Sequence, residues 1–170
     1  MNKAVLTLTA ILALGTTSLP AAKPAPRVSV AQIADLPQPL PLPYDEAANG
    51  MADVTKARAL ARKQHKKLLI DLGGNWCTDC RVLAGIMDLP EVKAFVVRNF
   101  VVVKVDVGRY DKNGDVAIHY GITKRLDGVP AVLIVDPARD RLINKDRTFA
   151  LTDARHMTPQ GLADWLAQWA

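Results

Sequence analysis

From residue 47 onward, the spacing of apolar positions switches repeatedly between helical and extended patterns. Ala47 to Gln64 carries Met51, Val54, Ala57, Leu60 and Ala61 at helical intervals, which predicts an amphipathic helix. Lys67 to Leu72 is a short, almost continuous apolar run and reads as a buried strand. Cys77 to about Met87 returns to helical spacing, with Val82, Leu83 and Ile86 on a common side. Pro90 suits the first turn of a continuing or new helix through Val97, because N–H groups there lack intrahelical partners anyway. The β-branched run Phe100 to Val107 reads as a central strand. Asp115 to Tyr120 predicts a short helix and Ala131 to Val135 another strand. Pro137 to Asp140 then reads as a turn, and Arg141 to Asn144 as a hairpin partner. Thr158 and Pro159 open a last helix as N-cap and first residue, and Leu162, Trp165, Leu166 and Trp169 form its apolar stripe. Those tryptophans read as core packing. The order α-β-α-β-α-β-β-α predicts an α/β fold, a sheet covered by helices on both faces.

The front of the chain breaks this rhythm. Met1-Asn2-Lys3 supplies a positive start, Ala4 to Leu14 is apolar apart from Thr7 and Thr9, and small residues follow. That layout predicts a secretory signal peptide over residues 1–22. The apolar run is well short of the roughly 20 residues that span a bilayer, so no stable membrane span is expected after processing. Export is therefore the expected localisation, periplasmic in a Gram-negative bacterium. Residues 23–44 follow as a Pro-rich segment, with Pro24, Pro26, Pro37, Pro39, Pro41 and Pro43. Such a run cannot supply a full ladder of backbone donors and favours polyproline II geometry. It is expected to be a linker, or an arm lying on the domain, with the folded domain occupying residues 45–170.

Length and apolar content fit one domain with a real core. The formal net charge of +5 is modest. Lys56, Arg58, Arg62, Lys63, Lys66 and Lys67 gather mostly along one predicted helix with few aromatics among them. That pattern describes a solvated helix face, and no nucleic-acid partner is expected.

The candidate chemistry sits in Trp76-Cys77-Thr78-Asp79-Cys80, which holds the only two cysteines of the chain. Cys77 falls where a helix begins, and unpaired N–H groups and the helix dipole there stabilise a thiolate. Cys80 is one turn later on the same face, within reach of a sulfur on Cys77. Asp71 lies on the preceding strand, either as a carboxylate at a strand end or as a buried group able to exchange a proton with Cys80. Its apolar neighbours Leu69, Ile70 and Leu72 favour burial.

The match extends past the cysteines, and over residues 50–170 the sequence resembles the thioredoxin superfamily. Asp71 stands where thioredoxins carry a buried carboxylate, Trp76 matches their tryptophan before the first cysteine, and Lys104 resembles the lysine that partners the carboxylate. Tyr120-Gly121-Ile122 and Gly128-Val129-Pro130 resemble the segment that holds their cis-proline. Within the superfamily the likeness is to a periplasmic DsbD-type electron-transfer domain. The resemblance implies a thioredoxin-like fold with a central mixed sheet and a thiol–disulfide oxidoreductase, more reductase-like than oxidase-like. It implies a redox-active Cys77–Cys80 disulfide with no other cofactor, protein thiols or disulfides as substrates, and an upstream electron donor. Cys77, Cys80, Asp71 and Lys104 would then carry catalysis. Trp76, Val129 and Pro130 would bind substrate, the Val129 backbone pairing with an extended chain beside a cis Pro130.

Two departures from the thioredoxin pattern stand out. Thr78-Asp79 separates the cysteines, and Asp79 suits the helix dipole while opposing a nearby thiolate, which predicts a less oxidising couple. Thr123 to Asp127 lengthens the link to Gly128-Val129-Pro130, and Lys124 and Arg125 there read as steering groups for an acidic partner or as loop solubilisers. Asp111 to Asp115 resembles a calcium loop only at its start, because Val116 and Ile122 occupy the glycine and glutamate positions, so an ordinary turn is expected. His65, His119 and His156 are scattered, and no metal ligands are assigned. A metal site at Cys77 and Cys80 would need further ligands and remains the alternative, beside a non-catalytic interaction module.

Overall fold

The computed structural model describes residues 23–170; the expected signal peptide at 1–22 lies outside the described residues. The elements run α1 (Gly50–Gln64), β1 (Lys67–Gly73), α2 (Thr78–Asp88), α3 (Pro90–Asn99), β2 (Phe100–Asp106), α4 (Gly114–His119), β3 (Ala131–Asp136), β4 (Arg141–Leu142) and α5 (Pro159–Gln168). Capping sets several of these boundaries. The Asn49 side chain accepts the Ala52 N–H, so α1 starts three residues later than the apolar spacing implies. Thr158 caps α5 by accepting the Gly161 N–H, with Pro159 in the first turn. Among the described residues no helix is long and apolar enough to cross a membrane.

The sheet is mixed, in the order β2-β1-β3-β4. β1 pairs parallel with β2 and antiparallel with β3, and β3 pairs antiparallel with β4. β2, expected in the centre, pairs only with β1 among the described residues and lies at an edge. A β-branched run reports fit to a half-buried pleated surface, which an edge strand packed by helices also offers. β4 is shorter than the expected hairpin partner because Asn144 leaves the ladder. Its side chain takes the ladder's place, accepting from the Ile134 N–H at 2.8 Å and donating to the Val132 carbonyl at 2.8 Å.

Alternation along β1 divides the interior into two cores. Leu69 faces one built with α2, α3 and α5, including Leu83, Ile86, Val92, Phe95 and Leu166. Leu68, Ile70 and Leu72 face the other, with Val54, Ala61 and Val116 from α1 and α4.

The Pro-rich segment belongs to this packing. Leu36 is buried in the first core, and Ala25, Val28, Val30, Ile33 and Leu40 pack partly buried against it. Side chains tie down its backbone along its length. Gln160 accepts the Val28 N–H at 3.0 Å, and Arg81 donates to the carbonyls of Leu40 at 2.8 Å and Pro41 at 3.2 Å. Tyr44, at its end, is buried in the second core.

Candidate active site

The turn before α2 delivers both sulfurs to one place. The Cys77 N–H donates to the Gly74 carbonyl at 3.0 Å, closing the turn after β1. Cys77 is the N-cap of α2, and its Sγ accepts the Cys80 N–H at 3.1 Å. One turn of helix puts the two Cα atoms 5.3 Å apart, and the sulfurs are joined as a disulfide. The partners differ in access: Cys80 is 0 % exposed, whereas Cys77 is 5 % exposed and lines an open depression of about 530 Å³. The walls of this depression include Trp76, Tyr110, Gly128, Val129 and Arg155.

Val129 and Pro130 stand opposite the sulfur. The peptide between them is cis, and the Val129 carbonyl oxygen lies 3.5 Å from Cys77 Sγ. Trp76 is 40 % exposed, with its indole N–H donating to the Gly108 carbonyl at 2.7 Å. Arg109 lies over the Trp76 ring at 4.5 Å, and Arg125 lies over the neighbouring Tyr110 at 4.4 Å. Arg125 is therefore held against the rim by a cation–π contact, which adds to simple solubilisation of the loop.

Asp79 is buried and meets Arg155 twice, accepting the backbone N–H at 2.9 Å and pairing with the guanidinium at 2.8 Å. The charge expected to oppose a thiolate at Cys77 is thus balanced by a cation that also lines the depression.

Beneath the disulfide, Asp71 is 0 % exposed. Burial pushes its carboxyl up to about 6, while the hydrogen bond from Tyr44 and the Lys104 charge draw it down. Lys104 is its register partner on β2, but among the described residues no ion pair joins the two. The direct partner is the Tyr44 hydroxyl, which donates to Asp71 Oδ1 at 2.9 Å, and among the described residues Oδ2 has no hydrogen-bond partner. A second buried carboxylate, Asp106, forms an ion pair with Lys112 at 3.5 Å.

Trp76, Cys77 and Val129 therefore line one depression, with Cys80 sealed behind Cys77, Pro130 following Val129 through the cis peptide, and Asp71 below, opposite Lys104 on β2. Sequence reasoning missed Tyr44 and Arg155. Tyr44 sits at the end of the Pro-rich run, where a lone aromatic was the available signal, and no local pattern marks Arg155. The histidines lie apart, with His119 against Asp140 at 2.9 Å and His156 against Asp153 at 2.6 Å. The Asp111 loop is a turn in which Asp111 accepts the Arg109 N–H at 2.8 Å.

A family model described as thioredoxin-like matches residues 49–137, from the cap of α1 through β3. The chain belongs to the thioredoxin-like family. The crystal structure of a disulphide isomerase from Xylella fastidiosa Temecula1 superposes on this thioredoxin-like chain with a TM-score of 0.69 at 38 % identity. The match covers 75 % of this chain and 96 % of that one. No curated protein matches the chain. With its paired cysteines at a helix N-terminus in a thioredoxin-like fold, the protein is a thiol–disulfide oxidoreductase.

Proposed function

We propose that this thioredoxin-like protein is exported and acts in its dithiol form on disulfides of partner proteins. The unequal access of the two sulfurs carries the reading. Cys77 meets solvent and substrate, so as a thiolate it attacks a substrate disulfide, forming a mixed disulfide and releasing one substrate sulfur as thiolate. Cys80 is sealed behind it and resolves the intermediate. Asp71 takes the Cys80 proton, the Cys80 sulfur attacks Cys77 Sγ, and the second substrate thiolate leaves. Two electrons pass to the substrate, and a dithiol donor returns them by the reverse exchange. Next to Cys77, the Val129 carbonyl offers an acceptor to the N–H of an extended substrate strand.

The same chemistry supports a reducing poise. A buried carboxylate without a paired cation disfavours thiolates nearby, which destabilises the dithiol relative to the disulfide and makes it a better donor. Attack by the dithiol form is also the first step of disulfide isomerisation, the activity named for the Xylella fastidiosa protein. Export rests on the charged start, apolar run and small residues within 1–22.

Two measurements test the proposal. Cys80→Ser, expressed in the native compartment, accumulates mixed disulfides with partner proteins that Cys77→Ser does not form; absence of trapping removes the exchange reading. Equilibration with glutathione gives a potential below about −220 mV, in the reductant range. A value near the ~−120 mV of strong oxidants reverses the direction of electron flow.

A further inference from the structure

The proton acceptor of this site is held by a residue from outside the family-matched segment. Tyr44 precedes that segment and lies at the end of the Pro-rich arm. Its hydroxyl donates to Asp71 Oδ1 at 2.9 Å in a fully buried setting, the only hydrogen bond to this carboxylate among the described side chains. The phenol also borders the resolving sulfur. A Cβ built on Gly73 would collide with Tyr44 Oη and lie 2.8 Å from Cys80 Sγ, so the oxygen and the sulfur flank one point beside β1. A glycine at 73 leaves this gap open.

Two residues flanking the cysteines fix where the ring sits. Asn75 accepts the Tyr44 N–H at 3.1 Å and donates to the Tyr44 carbonyl at 2.9 Å, pinning the backbone on both sides. Arg81, directly after Cys80, holds the carbonyls of Leu40 and Pro41. Gly85 lets the arm lie close to α2, where a Cβ would meet Leu40 at 3.3 Å and Leu36 at 3.5 Å.

We propose that Tyr44 is a positioning residue of the exchange reaction, delivered by the Pro-rich arm to orient Asp71 for proton transfer with Cys80. The proposal rests on the role given to Asp71 under the proposed function. Donation to a carboxylate favours its charged form and fixes one oxygen, leaving Oδ2 as the free acceptor. The other groups facing this cluster are Lys104 opposite Asp71 on β2, Asp106 acting on Tyr44, and Cys80 on α2; β3 presents the apolar Val132.

Tyr44→Phe removes the donor and keeps the ring. In the disulfide-bonded protein, carbon-13 titration of the Asp71 carboxyl is expected to move up by about one pH unit in this variant. The acidic limb of the pH profile for reduction of insulin disulfides moves up with it. Adding Tyr44→Phe to Asp71→Asn leaves the profile of Asp71→Asn unchanged, because the hydroxyl acts through the carboxylate. A Tyr44→Phe carboxyl titration and pH limb that overlay the wild type overturn the proposal, as does additive loss in the double variant. A wild type that titrates as expected but reduces no disulfide instead defeats the proposed function.

Discussion

Asp71 carries opposing demands, and its pH dependence follows from them. Burial raises its carboxyl from the ordinary value of 3.8 to about 6, against the pull of Tyr44 and Lys104. The folded state therefore binds this proton more tightly than the unfolded chain. The stabilisation is complete below pH 3.8 and is lost as pH rises through 6. The difference amounts to on the order of 3 kcal/mol at neutral pH. Asp71→Asn is accordingly expected to melt higher than the wild type at pH 8, with the gap closing towards pH 4. Thermal denaturation of the oxidised proteins at both values checks this, and a gap independent of pH would place the cost elsewhere. The site thus keeps an unfavourable buried charge, the one to which the proposed exchange assigns proton transfer. Asp79 shows the opposite arrangement, its charge balanced by Arg155 drawn from a distant turn. The position of Asp79 beside a thiolate was legible from the motif. Its partner was not, because long-range pairing leaves no periodic trace along the chain.

At the scale of elements, the arm is the part whose role changed most on folding. Prolines predicted an extended segment, but a 3-10 turn at Ile33–Asp35 interrupts it, Leu36 just beyond that turn is sealed within the first core, and Arg81 satisfies two of the segment's carbonyls. Leu36→Ala is expected to cost 2–5 kcal/mol, the range for emptying a buried leucine site. A urea melt measures this, and a change within about 0.5 kcal/mol, as for a surface residue, would return the arm to linker status. Helices with a clear apolar stripe and a Thr158-Pro159 or Pro90 start were readable because cap chemistry is local. β2 was misplaced within the sheet because strand order depends on which neighbours compete for each edge. β4 was overextended because the Asn144 side chain, and no further strand residue, takes the Ile134 N–H and the Val132 carbonyl.

Across the whole molecule, β1 divides the two cores and ends at Gly73, after which Gly74 leads out of the sheet and Cys77 opens α2. The cysteine pair, Trp76 and the Val129-Pro130 segment could be assembled beforehand because matched residues in the right order imply a shared frame. Tyr44 and Asn75 could not, since their pairing joins the arm to the turn through one side chain grasping a distant backbone. This construction has a mechanical corollary. The arm is held by scattered side-chain contacts, whereas β1 is held by backbone ladders on both edges. Tension applied at Lys23 would peel the arm away first, lifting the phenol off the carboxylate while both strands beside it stayed zipped. The Tyr44–Asp71 pair would feel a tug on the arm well before the sheet did.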